Sequence, residues 1–352
     1  MAKVVGVINT AHTPFCYMAP ERWNEVRSNR SLREDVPLDS LEENLKKKER
    51  IEAGFATLRE KFAEMKVDVA VVCGDDQLEC FDFTNFPSFA IYVGEEFEGH
   101  TSNRDANLFG RGGNTSVHGD DAVQGGAATA TATRPVTPGM ARLEGHPGLG
   151  IGILTGVMKR GFDPAFSMDM PKPEKGIGHA FLRPAESIMD FNTPVVPVLL
   201  NCYYAPQPTA VRCYEFGKAL KEAIEEYPED LRVVIIGSGG LWHTPGAKEA
   251  WLDEDFDRTA LQFLEAGDIR GMAEHFDNYQ IPDGDVSQYI GEKGRGATGM
   301  PGFGGPQGGT RETCNWITAA GASDGHKSVI VDYIPVYASP VGVSFSYCKL
   351  ED

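Results

Sequence analysis

The sequence predicts an α/β fold: a central mixed sheet flanked by helices, built as one large domain that carries long loop insertions. Three observations point there. Short β-branched runs occur at residues 4–8, 67–73, 195–200 and 233–236, each closed by a polar or glycine-containing turn, as buried strands are. Helical patterns with recognisable ends lie between some of them. At 352 residues, 41% of them hydrophobic, the chain is long enough to bury a sizeable core.

Along the chain, the first run leads into Asn9-Thr10-Ala11-His12-Thr13-Pro14. Ser40-Leu41-Glu42-Glu43 then has the form of a capping box, in which the serine and the acid three residues on satisfy each other's backbone N–H groups; it opens a charged helix expected to reach about residue 65. The second run leads into Asp75-Asp76-Gln77. Residues 101–145, which include GGAATATATRPVTPG, have neither helical nor strand periodicity and read as a long insertion. After the third run, 209–226 reads as a helix stopped by Pro228. The fourth run continues through Gly237-Ser238-Gly239-Gly240-Leu241-Trp242 to His243. Residues 256–265 form a third helix with Gly267 as its C-cap. Residues 293–309, KGRGATGMPGFGGPQGG, read as a second insertion. Strand–helix alternation of this kind favours a mixed or parallel sheet, in which chemistry gathers at the strand C-terminal ends.

Charge and composition narrow the function. A formal net charge of −18 disfavours a nucleic-acid partner, since duplexes are held by clustered Lys and Arg. An anionic substrate is repelled at long range and needs a local Arg or a metal. No apolar stretch approaches the ~20 residues of a membrane helix, and MAKVVGVINTAHTPF lacks the apolar segment and cleavage site of a signal peptide. The expectation is a cytoplasmic protein without a membrane partner. The seven cysteines are scattered and form no CxxC, which argues against a disulfide framework or a thiolate zinc site.

Three polar groups follow three apolar runs: His12, Asp75-Asp76-Gln77 and His243. His179 lies in Gly176-Ile177-Gly178-His179, ahead of another run. Imidazole is the commonest metal ligand and the usual base near neutral pH. Carboxylates lie just beyond His243, at Glu249, Asp253, Glu254 and Asp255. Two imidazoles and one carboxylate leave open positions for substrate and O2, the requirement of non-haem Fe(II) oxygen chemistry. The competing reading of each histidine is a hydrogen-bonded turn residue, and of the 253–257 acids a solvated helix start. Gly237-Ser238-Gly239-Gly240 lacks the Lys-Ser/Thr of a phosphate loop, and there is no G-x-S-x-G elbow of a serine hydrolase.

These motifs resemble the class III extradiol ring-cleaving dioxygenases, the family of the catalytic beta subunit of protocatechuate 4,5-dioxygenase, with most similarity to the methylgallate and gallate dioxygenase branch. The resemblance rests on VGVINTAHTP (5–14), DVAVVCGDDQLECFDFTNFPSFAIYVG (68–94), HPGLGIGILTGVMKRGFDPAF (146–166), and GIGHAF, PVVPVLLNCYYAP, RCYEFGKAL, VVIIGSGGLWH and LDEDFD within 176–268, followed by GTRETCNWITAAGA (309–322).

The resemblance implies extradiol cleavage of a catechol-type aromatic acid, such as a gallate or protocatechuate derivative, by Fe(II) and O2. It implies His12 as an iron ligand, His179 as the acid–base and His243 as an active-site histidine near the metal. Family members carry a second ligating His where this chain has Gln77, so Gln77 becomes the second ligand, with Asp76, Glu79 or His243 as substitutes. The acidic ligand of the family follows the His243 position; Lys248 stands nearest, and alignment on LDEDFD selects Glu254, with Glu249 as the alternative. Thr310 and Arg311 are expected to hold a substrate carboxylate, against the simpler reading that Arg311 pairs with Glu312 or the acidic surface, and Tyr203 or Tyr204 to line the ring. A homodimer, with a small alpha-type subunit as a further partner, is expected. The rival reading is a ligand-poor, non-catalytic subunit of a related complex, and a third is a zinc metallohydrolase at the same cluster.

Overall fold

The computed structural model describes residues 1–100, 140–244, 249–280 and 302–350. Its elements, in chain order, are β1 (Lys3–Thr10), α1 (Trp23–Ser28), α2 (Leu41–Glu64), β2 (Val69–Asp75), β3 (Phe89–Tyr92), β4 (Glu96–Gly99), β5 (Ala141–Glu144), α3 (Pro147–Met158), β6 (Ala165–Ser167), α4 (His179–Pro184), β7 (Val195–Leu200), α5 (Ala210–Glu225), β8 (Arg232–Ser238), α6 (Glu254–Ala266), α7 (Ile269–Asn278), α8 (Thr313–Gly321), β9 (Val329–Val336) and β10 (Val341–Lys349). A short 3-10 turn, Gly308–Glu312, runs directly into α8.

Eight strands form one mixed sheet in the order β6-β3-β7-β2-β8-β1-β10-β9. The central four, β7-β2-β8-β1, are parallel. β10 and β9 extend the β1 edge antiparallel, and β3 pairs antiparallel with β7. Helices cover both faces, and the strand side chains alternate between two cores. Val71 and Cys73, Val196 and Val198, and Val233 and Ile235 join the face lined by α3, α5 and α8. Ala70 and Val72, Val195 and Leu199, and Val234 and Ile236 join the face that receives Phe55 and Leu58 of α2. Burial on both faces is why these strands appear in the sequence as unbroken apolar runs rather than alternating ones.

The local signals act as expected. Ser40 accepts from Glu43 N–H while the Glu43 carboxylate accepts from Ser40 N–H, completing the capping box of α2. Thr209 caps α5, and Gly267 ends α6 with φ +78°. Of the first expected insertion, 101–139 lie outside the described residues. Its last part differs from expectation: β5 pairs antiparallel with β4, with Leu143 opposite Phe97 and Arg142 opposite Glu98. One buried leucine in a four-residue strand is too short a pattern to read as a strand from sequence. Of the second, 293–301 lie outside the described residues, and the rest leads into the 3-10 turn at 308.

The parallel order brings the ends of β1, β2, β7 and β8 to one edge, so the segments after Thr10, Asp75, Leu200 and Ser238 converge. Among the described residues, no helix is long and apolar enough to cross a membrane.

Candidate metal centre and active site

His12 sits two residues past the end of β1 and is buried. Its Nδ1 meets Ser238 Oγ of the neighbouring parallel strand at 3.0 Å. Its Nε2 lies 3.1 Å from Glu312 Oε2 and 3.9 Å from Asp75 Oδ1. Asp75, the last residue of β2, is fully buried; Asn315 of α8 donates to its Oδ1 at 3.1 Å and Gln77 Nε2 to its Oδ2 at 3.3 Å. Asn315 also donates to Ser238 O, so one amide ties the ends of β2 and β8 together.

Glu312 closes the 3-10 turn before α8 and is buried. Its two oxygens are used differently. Oε2 faces His12. Oε1 accepts from Tyr203 O–H, lies 3.2 Å from His243 Nε2 and is reached by Gln77 Nε2 at 3.4 Å. His243 is held by its backbone: its N–H donates to Thr310 Oγ1, and that hydroxyl donates to its carbonyl. Its Nδ1 meets Leu241 O at 3.0 Å. A carbonyl only accepts, so Nδ1 carries a proton, and the other ring nitrogen, Nε2, is the one that faces the Glu312 carboxylate. A Cβ at Gly309 would stand 2.3 Å from that Nε2; glycine is needed there because the imidazole occupies the space.

His179, the first residue of α4, packs its ring edge-on to His12 at 4.7 Å between centroids. Glu79 Oε1 accepts from its backbone N–H at 3.1 Å and lies 2.6 Å from its Nδ1.

The electrostatics follow from burial and from the mutual pairing of these groups. Burial opposes the charge on the His12 ring, but Glu312 outweighs it and raises the imidazole to about 9. His243 is raised by the same carboxylate. Burial likewise opposes ionisation of Glu312, yet His243 and His12 together hold it well below the usual carboxylate range. Burial, with Glu312 adding to it, pushes Asp75 up to about 6.

His12, Asp75 and Glu312 each offer one donor atom, all within 4.8 Å of one another. A nitrogen and two carboxylate oxygens, dry and mutually close, suit a divalent cation: two positive charges on a metal would replace the protons that otherwise balance the buried carboxylates. The residues present fit a metal, with His243 Nε2 beside them as a fourth donor.

Several sequence assignments change in this geometry. Glu254 is not at the centre. It is the first residue of α6, and its carboxylate accepts from Tyr337 O–H and Arg258, because the helix that begins there carries it to the surface side. Glu249 is exposed, with only its backbone N–H tied to Ser31 Oγ. Gln77 is in the cluster, but its amide nitrogen faces Asp75, Tyr203 and Glu312; an amide surrounded by acceptors acts as a donor, and Asp75 two residues earlier supplies the oxygen. Asp76 accepts from the backbone N–H of Glu79, Cys80 and Phe81, so it builds the turn; burial and Glu79 push it up to about 8. Glu79 belongs to His179. Arg311 is turned away: its guanidinium donates to the carbonyls of Gly304, Pro306 and Pro208 and stacks over Phe276. It holds the preceding loop together and is spent there. Thr310 holds His243, and Tyr203 holds Glu312. Tyr204 is buried against Phe83 and Phe86.

Asp75 stands in the Asp75-Asp76-Gln77 group expected at the cleft but was passed over as a ligand for Gln77; Ser238 and Glu312 are the members that sequence reasoning missed. The one available signal was an acid within GTRETCNWITAAGA, a stretch otherwise small, neutral or apolar apart from its arginine.

Comparison with known proteins gives the following likenesses. The gallate dioxygenase of Pseudomonas putida is 40% identical over 125 residues, 34% of this chain and 35% of that protein. A 2,3-dihydroxyphenylpropionate/2,3-dihydroxicinnamic acid 1,2-dioxygenase of Escherichia coli is 26% identical over 199 residues, 55% of this chain and 49% of that protein. The matched part thus spans about a third to a half of these relatives' length. A crystal structure of an uncharacterized Escherichia coli protein overlaps 97% of this chain and 99% of that chain at 11% identity and a TM-score of 0.42, too loose a likeness to carry weight. Residues 8–280 match the family described as the catalytic LigB subunit of aromatic ring-opening dioxygenase, a segment that holds His12, Asp75, His179 and His243 and stops before Glu312. The chain belongs to this LigB family of aromatic ring-opening dioxygenases.

Proposed function

We propose that this chain opens a catechol-type ring with O2 by extradiol cleavage, next to rather than between the two hydroxyl-bearing carbons, at a ferrous ion held by His12, Asp75 and Glu312. The observation that carries the reading is the convergence of these three donors, from the ends of β1 and β2 and the start of α8, with two further histidines around them. Iron(II), when bound, supplies Lewis acidity and one-electron redox chemistry at an open coordination set.

The chain's own residues do the rest. Ser238 fixes the ring of His12 through Nδ1, leaving Nε2 toward the centre. Tyr203 and Gln77 engage Oε1 of Glu312 and leave Oε2 as the metal-facing oxygen. His179, with Nδ1 occupied by Glu79, offers Nε2 to take a proton from a substrate hydroxyl and to return it later, the work of a general acid–base. His243 presents its Nε2 on the opposite side of Glu312. The dry surroundings strengthen each of these contacts.

Gallate and 2,3-dihydroxyphenylpropionate, named by the relatives, are the first substrates to try, and protocatechuate the third. A carboxylate on such a ring would need a partner other than Arg311. The alternative of a ligand-poor, non-catalytic subunit loses its motive once Asp75 and Glu312 fill the positions that Gln77 and Glu254 left open. The test is anaerobic Fe(II) loading followed by O2 uptake with these catechols. Stoichiometric O2 consumption with formation of a ring-opened product is expected. Full iron loading without O2 uptake on any of them would reject the reading.

A further inference from the structure

We infer that Glu79 is a positioning residue for catalysis: it sets the tautomer and aim of His179, and so decides which nitrogen meets the substrate. This rests on the acid–base reading of His179 and deepens it by naming the group that makes that histidine competent.

The turn after β2 is built to deliver this carboxylate. Asp76 gathers three successive backbone N–H groups, those of Glu79, Cys80 and Phe81. Leu78 within the turn has φ +70°, a left-handed conformation that a bulky residue adopts rarely and that tends to persist where the structure depends on it. The effect is to throw the Glu79 side chain across to the start of α4. There Oε1 takes both N–H groups that His179 can direct at it, the backbone one at 3.1 Å and ring Nδ1 at 2.6 Å. Oε2 accepts from the backbone N–H of Gln77 at 3.3 Å. Residue 178 is glycine, and a Cβ on it would fall 2.6 Å from Glu79 Oε2. The partner segment thus makes room for the carboxylate.

The consequence is chemical. An ionised carboxylate only accepts hydrogen bonds, so Nδ1 of His179 must carry the proton. The neutral ring then has its lone pair on Nε2, and among the described residues no hydrogen-bond partner occupies that atom. In the other tautomer Nε2 would carry a proton and could not take one. The arrangement has the logic of a carboxylate that orients a catalytic imidazole, here beside a metal centre rather than a nucleophile.

The test uses the full chain loaded with Zn(II), a diamagnetic substitute, with 15N-labelled histidine, alongside the Fe(II) enzyme for kinetics. In the wild type the His179 ring should show a protonated Nδ1 and an unprotonated Nε2. Glu79→Ala should populate the opposite tautomer and lower kcat roughly 100-fold, the scale of a lost acid–base contribution, with KM within about 3-fold and metal content unchanged. Glu79→Gln, whose amide oxygen can still accept from Nδ1, should keep the tautomer and recover at least about 10-fold of kcat; it is also the variant to read should Glu79→Ala fail to fold. Retention of the Nδ1–H tautomer in Glu79→Ala overturns the inference. So does a switched tautomer with wild-type kcat, or a Glu79→Gln protein with the tautomer intact and kcat as low as the alanine variant. If the wild-type Fe(II) enzyme consumes no O2 with any catechol, the ring-cleavage reading fails instead, while the nitrogen spectra still decide whether Glu79 controls His179.

Discussion

Exchanging Glu312 for Gln, with Glu254→Gln as its counterpart, separates the carboxylate that the fold brings to the centre from the one that lies near His243 in sequence. Glu312→Gln keeps the shape and removes one negative charge from a buried site. That charge lies 3.1 Å from His12 Nε2 and 3.2 Å from His243 Nε2. Two unit charges about 4 Å apart interact by about 4 kcal/mol at an effective dielectric of roughly 20. A divalent ion gains more than this, and repositioning of Tyr203 and Gln77 around the amide returns part of it. A net loss of about 4 kcal/mol is therefore a fair scale, which is roughly a 10³-fold weaker Fe(II) affinity. Glu254→Gln removes a half-exposed pair with Arg258 and weakens one contact to Tyr337, worth at most about 1 kcal/mol of stability, and touches no donor of the centre. Anaerobic titration calorimetry with Fe(II), with thermal melts of both metal-free variants, reads the difference. Fe(II) affinity of Glu312→Gln within tenfold of wild type, or metal loss from Glu254→Gln, would refute the reasoning.

Further expectations follow from single contacts. Ser238→Ala removes the partner of His12 Nδ1 and should weaken Fe(II) binding by roughly 10–100-fold; unchanged binding would show that the ring needs no such support. Arg311→Met breaks three hydrogen bonds from a buried guanidinium to the loop carbonyls of Gly304, Pro306 and Pro208 and should cost roughly 2–4 kcal/mol in urea unfolding while KM for gallate stays unchanged in protein that remains folded; a raised KM at full stability would return Arg311 to substrate binding. Asp257 is fully buried under Trp242 N–H and Tyr333 O–H, and burial pushes it up to about 8 against those two donors. The folded chain then holds one more proton than the unfolded chain between about pH 4 and pH 8, so this residue's effect on stability falls as pH rises, by at most about 1.4 kcal/mol per pH unit. Asp257→Asn should flatten the pH profile across that window, and parallel profiles for the two proteins would contradict the assignment.

The parts of the molecule that could be read from sequence are those whose cause is local. β7 matches its apolar run residue for residue, and β1, β2 and β8 extend theirs by one or two residues at most ends. Ser40 and Gly267 announce helix ends through hydrogen bonds and backbone geometry that need only neighbouring residues. His12 and His243 were legible because they directly follow such strands. Glu312 was not, because it arrives 300 residues after His12 from the start of a helix on another layer, and nothing in GTRETCNWI distinguishes an acid facing a metal from one facing water. Nearness in sequence misled in the same way at Glu254: α6 begins there and carries the side chain off, whereas the fold brings the Gly308–Glu312 turn back over His243. Arg311 beside it had the chemistry of a carboxylate binder, but its direction is set by the loop carbonyls it closes.

The most direct measurement is a crystal structure of protein loaded anaerobically with Fe(II), with anomalous data at the iron edge. A single iron peak within roughly 2.0–2.3 Å of His12 Nε2 and of carboxylate oxygens from Asp75 and Glu312 is the predicted result. An iron peak elsewhere, or density with Glu312 still paired to both histidines and no metal between them, would contradict the account.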